Sequence, residues 1–498
     1  MALFVCLLPL GASAQRSIPI PMPTVNPDSL MKHVTELSSE AYEGRLAGTR
    51  GYDRAARYCE QVLRSYGVQG YATRPEKSRS WREEFELESN EIENCKFNIY
   101  IPGSKDRRSF TLGNEFCCAG MTGRGYVDAE MVFCGYGIDV NQYNEYDHVD
   151  VQGKIVVLLT GLPSSSNVPQ SVQEQYATLR DKARTAERHG ALGVLAVNIS
   201  PSCLPYEPQG RVYCGEMPHM KTFPILHLTM DCGREIFAAE GANLDSAVAS
   251  IERLHKPQSF EMRRHAEIDV NAIYRGDAVT SNVVGILPGR DKRMADEIIV
   301  VGASLDGVGM QGETCLFPGA DINASGVAAV LETARVLSMP GFHPKRSIVF
   351  VLFSGSEQQY LGSREFIAQF PRLRRVEAFI NAQNLGYGDS VVVLGDNKYP
   401  VLAQIAYGRD SLSGLHSILR TEEKTNVRGD ARAFDAMDIP SLVFTTHNGM
   451  HHNRVSSDVW ENIDRRILTI SSQLIAETVM ELGEGIYQGR SPQSKIHK

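Results

Sequence analysis

Residues 297–353 read EIIVVGASLDGVGMQGETCLFPGADINASGVAAVLETARVLSMPGFHPKRSIVFVLF, and this stretch decides the fold. Glu297 to Ala303 is a short, nearly unbroken apolar run, the pattern of a strand buried on both faces. Gly326 to Ser338 sets Val327, Val330, Leu331 and Ala334 on one face at helical spacing. Lys345 and Arg346 then lead into a second buried strand, Ser347 to Phe353. The same rhythm continues downstream. A helix from Tyr360 to Phe370 is followed by strands Val376 to Asn381 and Ser390 to Leu394. A helix near 400–408, a strand Ser441 to Thr445 and a helix from Arg465 to about Leu482 complete it. Such alternation argues for a layered α/β domain around a largely parallel sheet. Ligands bind such sheets at the carboxyl ends of the strands. The loops after Ala303, Phe353, Asn381 and Thr446 are therefore expected to converge on one rim.

Upstream of this domain the rhythm differs. Residues 15–27 form a Pro-rich, polar lead-in. A first helix follows, with Ser29 as its expected cap and Leu30, Val34 and Leu37 on one face. A second helix spans 51–66 and stops near Gly67. Strands through Phe97, Ile99 and Ile101 close at the Pro102-Gly103 turn. Between about 110 and 260 short β-rich runs dominate: Ala129 to Phe133, Gly153 to Leu159, Gly193 to Val197 and Phe223 to Leu228. With one or two helices, including one around Ala183 and Ala186, they form a separate small module.

A chain of 498 residues exceeds the size at which one core stops growing, so more than one folded unit is expected. Its net charge of −8, with no long basic run, argues against a nucleic-acid partner. Ala2 to Leu10 is apolar, and Ala12 and Ala14 make a small-residue cleavage site, so residues 1–14 read as a signal peptide cut before Gln15. The n-region carries no Lys or Arg. No later stretch reaches the roughly 20 apolar residues of a membrane span. Export to the periplasm or the medium, without a membrane anchor, is the expected location. The chain has 10 cysteines, 9 of them after that cut, with no CxxC pair, and the odd number leaves at least one thiol unpaired.

Four loop motifs carry a resemblance. They are Gly302-Ala303-Ser304-Leu305-Asp306, Gly319-Ala320-Asp321-Ile322-Asn323-Ala324-Ser325-Gly326, Phe353-Ser354-Gly355-Ser356-Glu357 and Ile380-Asn381-Ala382-Gln383. Together with Asn282 to Gly289 and Glu43 to Gly48 they resemble metallopeptidase family 28, the co-catalytic zinc exopeptidases. That family includes leucyl aminopeptidases, glutamate carboxypeptidase II and the transferrin receptor. Cys134 to Gly137, Asp150 to Lys154 and Gly190 to Gly193 are similar to a protease-associated (PA) domain. The resemblance implies a three-layer α/β/α zinc-exopeptidase-like sandwich with an inserted β-rich PA domain. The implied division is 28–109 and 261–488 for the peptidase-like domain and 110–260 for the insert.

The family holds two zinc ions with His and carboxylate ligands around a bridging carboxylate, and a Glu serves as general base. Carried onto this sequence, the first His position is Ser304, while the Asp that orients it remains as Asp306. The bridging Asp position is Ile322. The base position is Ser356, and the Glu ligand after it survives as Glu357. The next Asp position is Gln383. Counting back without gaps from Asp458, which is retained, puts Arg454 at the last His position. Ile322 offers no lone pair, Ser304 and Gln383 are neutral, and one carboxylate cannot neutralise two dications. The loss of a general base alone removes about 10²–10⁴ in rate. The chain therefore reads as a pseudopeptidase that holds no cofactor and binds a peptide or protein ligand. The alternative is an active zinc-dependent aminopeptidase or carboxypeptidase with an atypical ligand set, in which a shifted alignment lets His452 join Glu357 at one zinc. His447, His451 and His452 otherwise read as solvated loop residues, His343 as a turn residue, and Asp306 and Asp458 as acceptors that hold the scaffold.

Overall fold

The structure is a computed structural model that describes residues 24–71, 80–141, 143–164, 173, 175–176, 178–199, 218–419, 427–449 and 454–487. The signal peptide expected over 1–14 lies outside these residues. Helix α1 (Pro27–Leu37) begins where Pro27 presets φ, and it buries Leu30, Val34 and Leu37 as their spacing requires. Its cap is Asn26, not Ser29: the Asn26 side chain accepts from the backbone N–H groups of Asp28 and Ser29, so Ser29 lies inside the first turn. Helix α2 (Arg50–Ser65) is capped by Thr49. The elements then run β1 (Arg82–Tyr100), β2 (Phe116–Cys118), β3 (Gly125–Phe133), β4 (Ile155–Leu159), α3 (Leu179–Arg188), β5 (Gly193–Val197) and β6 (Ile225–Leu228). Helices α4 (Met230–Ala239) and α5 (Leu244–Leu254) precede a long strand, β7 (Phe260–Leu287). The rest alternates: β8 (Ile298–Ser304), α6 (Gly326–Leu337), β9 (Ser347–Phe353), α7 (Leu361–Gln369), β10 (Val376–Ala382), β11 (Ser390–Leu394), α8 (Pro400–Leu412), α9 (Ala431–Asp435), β12 (Ser441–His447) and α10 (Arg465–Gly483).

One sheet runs β11-β12-β10-β8-β9-β7-β3-β4-β5-β6-β2. Strands β9, β8, β10 and β12 pair in parallel, flanked by antiparallel β7 and β11. One face of this part packs Ile299, Val301 and Ala303 against α1, α2, α6, α8 and α10. The other packs Ile298 and Val300 of β8, with Val349 and Phe379, against Phe366 of α7 and Phe434 of α9. That is the expected three-layer α/β/α arrangement.

The β-rich stretch from 110 to 260 carries three helices among its described residues, more than the one or two expected. Helices α4 and α5 cover one face of its strands through Ile236, Phe237, Leu244 and Ile251, and α3 covers the other through Ala183 and Ala186. The family resemblance covers only 282–289 of this region, but β7 is a single 28-residue strand that pairs with β3 at Phe260–Val270 and with β9 at Val283–Leu287. Strand β1 lies along it over most of its length. The middle module is therefore joined to the α/β domain by continuous backbone hydrogen bonding as well as by loops.

Candidate functional site

The carboxyl ends of the parallel strands meet as the alternation requires. Ser304 ends β8 and Asp306 follows it. Ser356 and Glu357 follow β9, Gln383 follows β10, and Arg454 lies beyond β12. The turn Ala320–Ser325 brings Ile322 to the same place. All of these residues line one small cavity of about 30 Å³, room for about two water molecules. Asp458 sits beneath it and does not line it: its carboxylate accepts from Asp321 N (2.7 Å) and Ile322 N (3.1 Å).

The turn is held from several sides. Asn323 Nδ2 donates to the carbonyls of Ser304 (3.1 Å) and Ala382 (3.2 Å). Asp321 accepts from Gly386 N at 2.7 Å. The fully buried Arg45 donates to the Leu305, Pro318 and Gly319 carbonyls at 3.0, 2.7 and 2.8 Å, and also to that of Leu37.

Within the cavity the Arg454 guanidinium donates Nε to the carboxylate of Glu357, whose side chain is only 5% exposed. Burial works against the Arg454 charge, but Glu357 more than offsets it and raises the guanidinium pKa. Ser304 Oγ donates to Asp430 Oδ2 at 2.6 Å. Ser356 N donates to Asp306 Oδ2 at 2.9 Å. Burial, and then the Glu357 charge, push the Asp306 carboxyl up to about 7. Burial pushes Asp430 and Asp458 up to about 6, and Asp321 well above the usual carboxylate range. Asp430 has no motif to mark it, and Asp321, inside the 319–326 motif, has no assigned role there; only tertiary packing reveals that both are buried.

These donors do not fit a pair of zinc ions. Glu357 is engaged by a guanidinium. The oxygens Oδ1 of Asp306, Oδ1 of Asp430 and Oδ2 of Asp321 have no hydrogen-bond partner, but Asp430 and Asp321 lie outside the cavity lining, which leaves Asp306 and Glu357 as its carboxyls among the described residues. Among the described residues no group of three or more His, Cys, Asp or Glu side chains is placed to hold a metal ion. His447 is exposed and pairs with Asp389 at 3.0 Å, outside the cavity lining. His343 is half-buried beside the Pro288 carbonyl. His451 and His452 lie outside the described residues.

The raised carboxyls make stability pH-dependent. Between the unfolded carboxylate range near pH 4 and the folded values of about 6 to 7, the native state holds more protons than the unfolded chain. Stability therefore falls as pH rises through that window. Chemical denaturation at pH 5 and pH 7.5 should show a loss of at least about 1.4 kcal/mol at the higher pH, the worth of one carboxyl displaced by one unit. Asp306→Asn should flatten the profile. A stability that rises between these pH values would refute the assignment.

The fold and rim define the class: an α/β exopeptidase-like protein with its site at the carboxyl ends of a parallel sheet. Residues 282–479 match the sequence profile of peptidase family M28. It is 31% identical over 136 residues to a protein of Trichophyton verrucosum named probable leucine aminopeptidase; the match covers 26% of this chain and 36% of that one. The chain thus spans about a third of the length of that relative. It is 27% identical over 320 residues to transferrin receptor protein 1 of Gallus gallus, covering 57% of this chain and 38% of the receptor. A zinc aminopeptidase structure from Bacillus subtilis superposes with a TM-score of 0.64 at 19% identity, covering 97% of this chain and 99% of the other. An aminopeptidase from Aneurinibacillus sp. strain AM-1 gives 0.60 at 20%, covering 92% and 94%. At such identities these structures establish the fold. Among the described residues no helix is long and apolar enough to cross a membrane.

Proposed function

We propose that this chain is an exported pseudopeptidase that binds a peptide or protein ligand at the peptidase rim, beneath an inserted PA domain, and does not hydrolyse it. One observation carries the reading: the cavity where the family's metals would bind holds an Arg454–Glu357 ion pair, with Ser304, Ile322, Ser356 and Gln383 around it. A guanidinium paired with the Glu357 carboxylate repels a dication. Ile322 contributes no donor, and Ser356 has no proton affinity to act as a base near neutral pH. The same guanidinium is suited to a ligand carboxylate, which it can grip with two parallel hydrogen bonds.

The test is metal analysis of the purified full chain together with a peptide-release assay, with and without chelator. The expected outcome is zinc well below one ion per chain and release no faster than the buffer blank. Two bound zinc ions with chelator-sensitive turnover would overturn the reading. Separating culture into cytoplasmic, periplasmic and medium fractions checks export, and protein confined to the cytoplasm would count against it.

A further inference from the structure

A second and larger cavity, of about 810 Å³, opens between the middle module and the α/β domain. Its size lies within the range of roughly 300–1,000 Å³ typical of sites that enclose a small ligand. One wall is Thr160 and Gly161 beyond β4 with the amino end of α3; the other is α7 and α9. Four cations line it: Arg180 and Lys182 on the module side, Arg364 and Arg432 on the domain side. Glu357 is the one carboxylate among the described lining residues, and it is bound to Arg454.

Lys182 is buried and donates Nζ to the carbonyls of Leu159 (3.1 Å) and Gly161. Those carbonyls hold the ammonium in place, and the buried Glu145 interacts with it electrostatically, so the charge open to a ligand is chiefly that of the domain side. Arg180 donates to the Pro218 carbonyl at 3.3 Å. Arg364 and Arg432 are exposed and form no ion pair among the described residues. A chain of net charge −8 thus gathers cations around one open cleft, where low-dielectric walls strengthen their field. Met121, Leu179, Ile367 and Met437 supply apolar surface between the cations. Ser356, Glu357 and Tyr360 line both this cavity and the smaller one, so the two spaces are contiguous.

We propose that this cavity selects short acidic peptides, whose carboxylates meet cations on both walls while apolar side chains pack between them. The proposal rests on the peptide-binding reading above and adds the ligand class. The experiment is calorimetric titration of the full chain with an N-acetylated, C-amidated Glu-Leu-Glu tripeptide and its Gln-Leu-Gln and Lys-Leu-Lys analogues. A Gln-Leu-Gln peptide with a free carboxyl end separates a terminal carboxylate from side-chain ones. The acidic peptide should bind at least tenfold tighter than the neutral one and weaken as salt rises. The Arg364→Glu/Arg432→Glu variant, changed only at exposed positions, should lose at least tenfold in that affinity while its thermal unfolding stays unchanged. Binding of the free-carboxyl Gln-Leu-Gln peptide as tight as that of the acidic one overturns the selection of acidic side chains and leaves capture of a terminal carboxylate, the reading above, standing.

Equal binding of neutral or basic peptides overturns the proposal and leaves peptide binding standing. Acidic-peptide affinity retained in the double variant overturns it as well, because the site then lies elsewhere. Binding of no peptide overturns both readings. Charge-selective binding accompanied by cleavage of an unblocked peptide supports the cavity assignment and sinks the pseudopeptidase reading.

Discussion

Glu357→Ala should lower the unfolding free energy by roughly 3–5 kcal/mol, the loss expected when one partner of a buried ion pair is removed and the other charge remains. The expectation follows from geometry. Glu357 is 5% exposed and Arg454 18% exposed at the side chain, and the cavity around them has little room for compensating water. Arg454→Met removes the other partner and should also destabilise, because Glu357 then faces Asp306 in a buried space. The double variant Glu357→Gln/Arg454→Met should lie near the wild type or above it, since replacing both members of a buried pair is often neutral or stabilising by about 1–4 kcal/mol. Urea midpoints of the wild type, Glu357→Gln, Arg454→Met and the double variant close the cycle. A single substitution costing under about 1 kcal/mol would show that solvent reaches the pair and that it does not define the site.

The second large effect is expected at Arg45. Its guanidinium is fully buried and donates to four backbone carbonyls: Leu37, Leu305, Pro318 and Gly319. Burial lowers its pKa to about 10, still well above neutrality, and the nearby Asp458 and Asp306 favour the charge. Gly319 O keeps the Ala324 N–H, so Arg45→Met would leave three buried acceptors unmatched at about 1–3 kcal/mol each, and a loss of at least about 3 kcal/mol is expected. The Leu305, Pro318 and Gly319 carbonyls belong to the loops that carry Asp306 and Ile322, and Leu37 ends α1, so the rim should lose its shape along with its stability. Gly44, next to Arg45, has φ 65° and packs where a Cβ would sit 2.1 Å from the Gly309 carbonyl oxygen. It brings the backbone of the Arg45 segment against the 307–309 loop, with Gly309 N donating to Gly44 O at 3.0 Å. Arg45→Lys, which keeps the charge but not the planar fork, should recover only part of the loss. A wild-type urea midpoint for Arg45→Met would refute the bracing role.

Much of the α/β domain is legible along the chain. Strands β8, β9, β10 and β12 are buried on both faces and so read as apolar runs, and α6 shows its face through Val327, Val330, Leu331 and Ala334. Strand β7 hides because it changes partners along its length, from β3 to β9, and its polar stretch around Arg263–Asp269 carries no apolar run to mark a strand. The cap of α1 is ambiguous in the sequence for a local reason: Ser29 is as good a cap chemically as Asn26, but Pro27 fixes where the helix begins.

The sequence by itself marked the layered fold, the resemblance to peptidase family M28 and the identity of the side chains at the rim, because the first follows from local periodicity and the others from short motifs tied to strand ends. Tertiary structure alone decided that Arg454 closes on Glu357, that Asp321 and Asp430 are buried acids and that four cations surround one cavity. Those are matters of distance, burial and charge between residues far apart in the chain, and such electrostatics exist only once folding has removed the water between them.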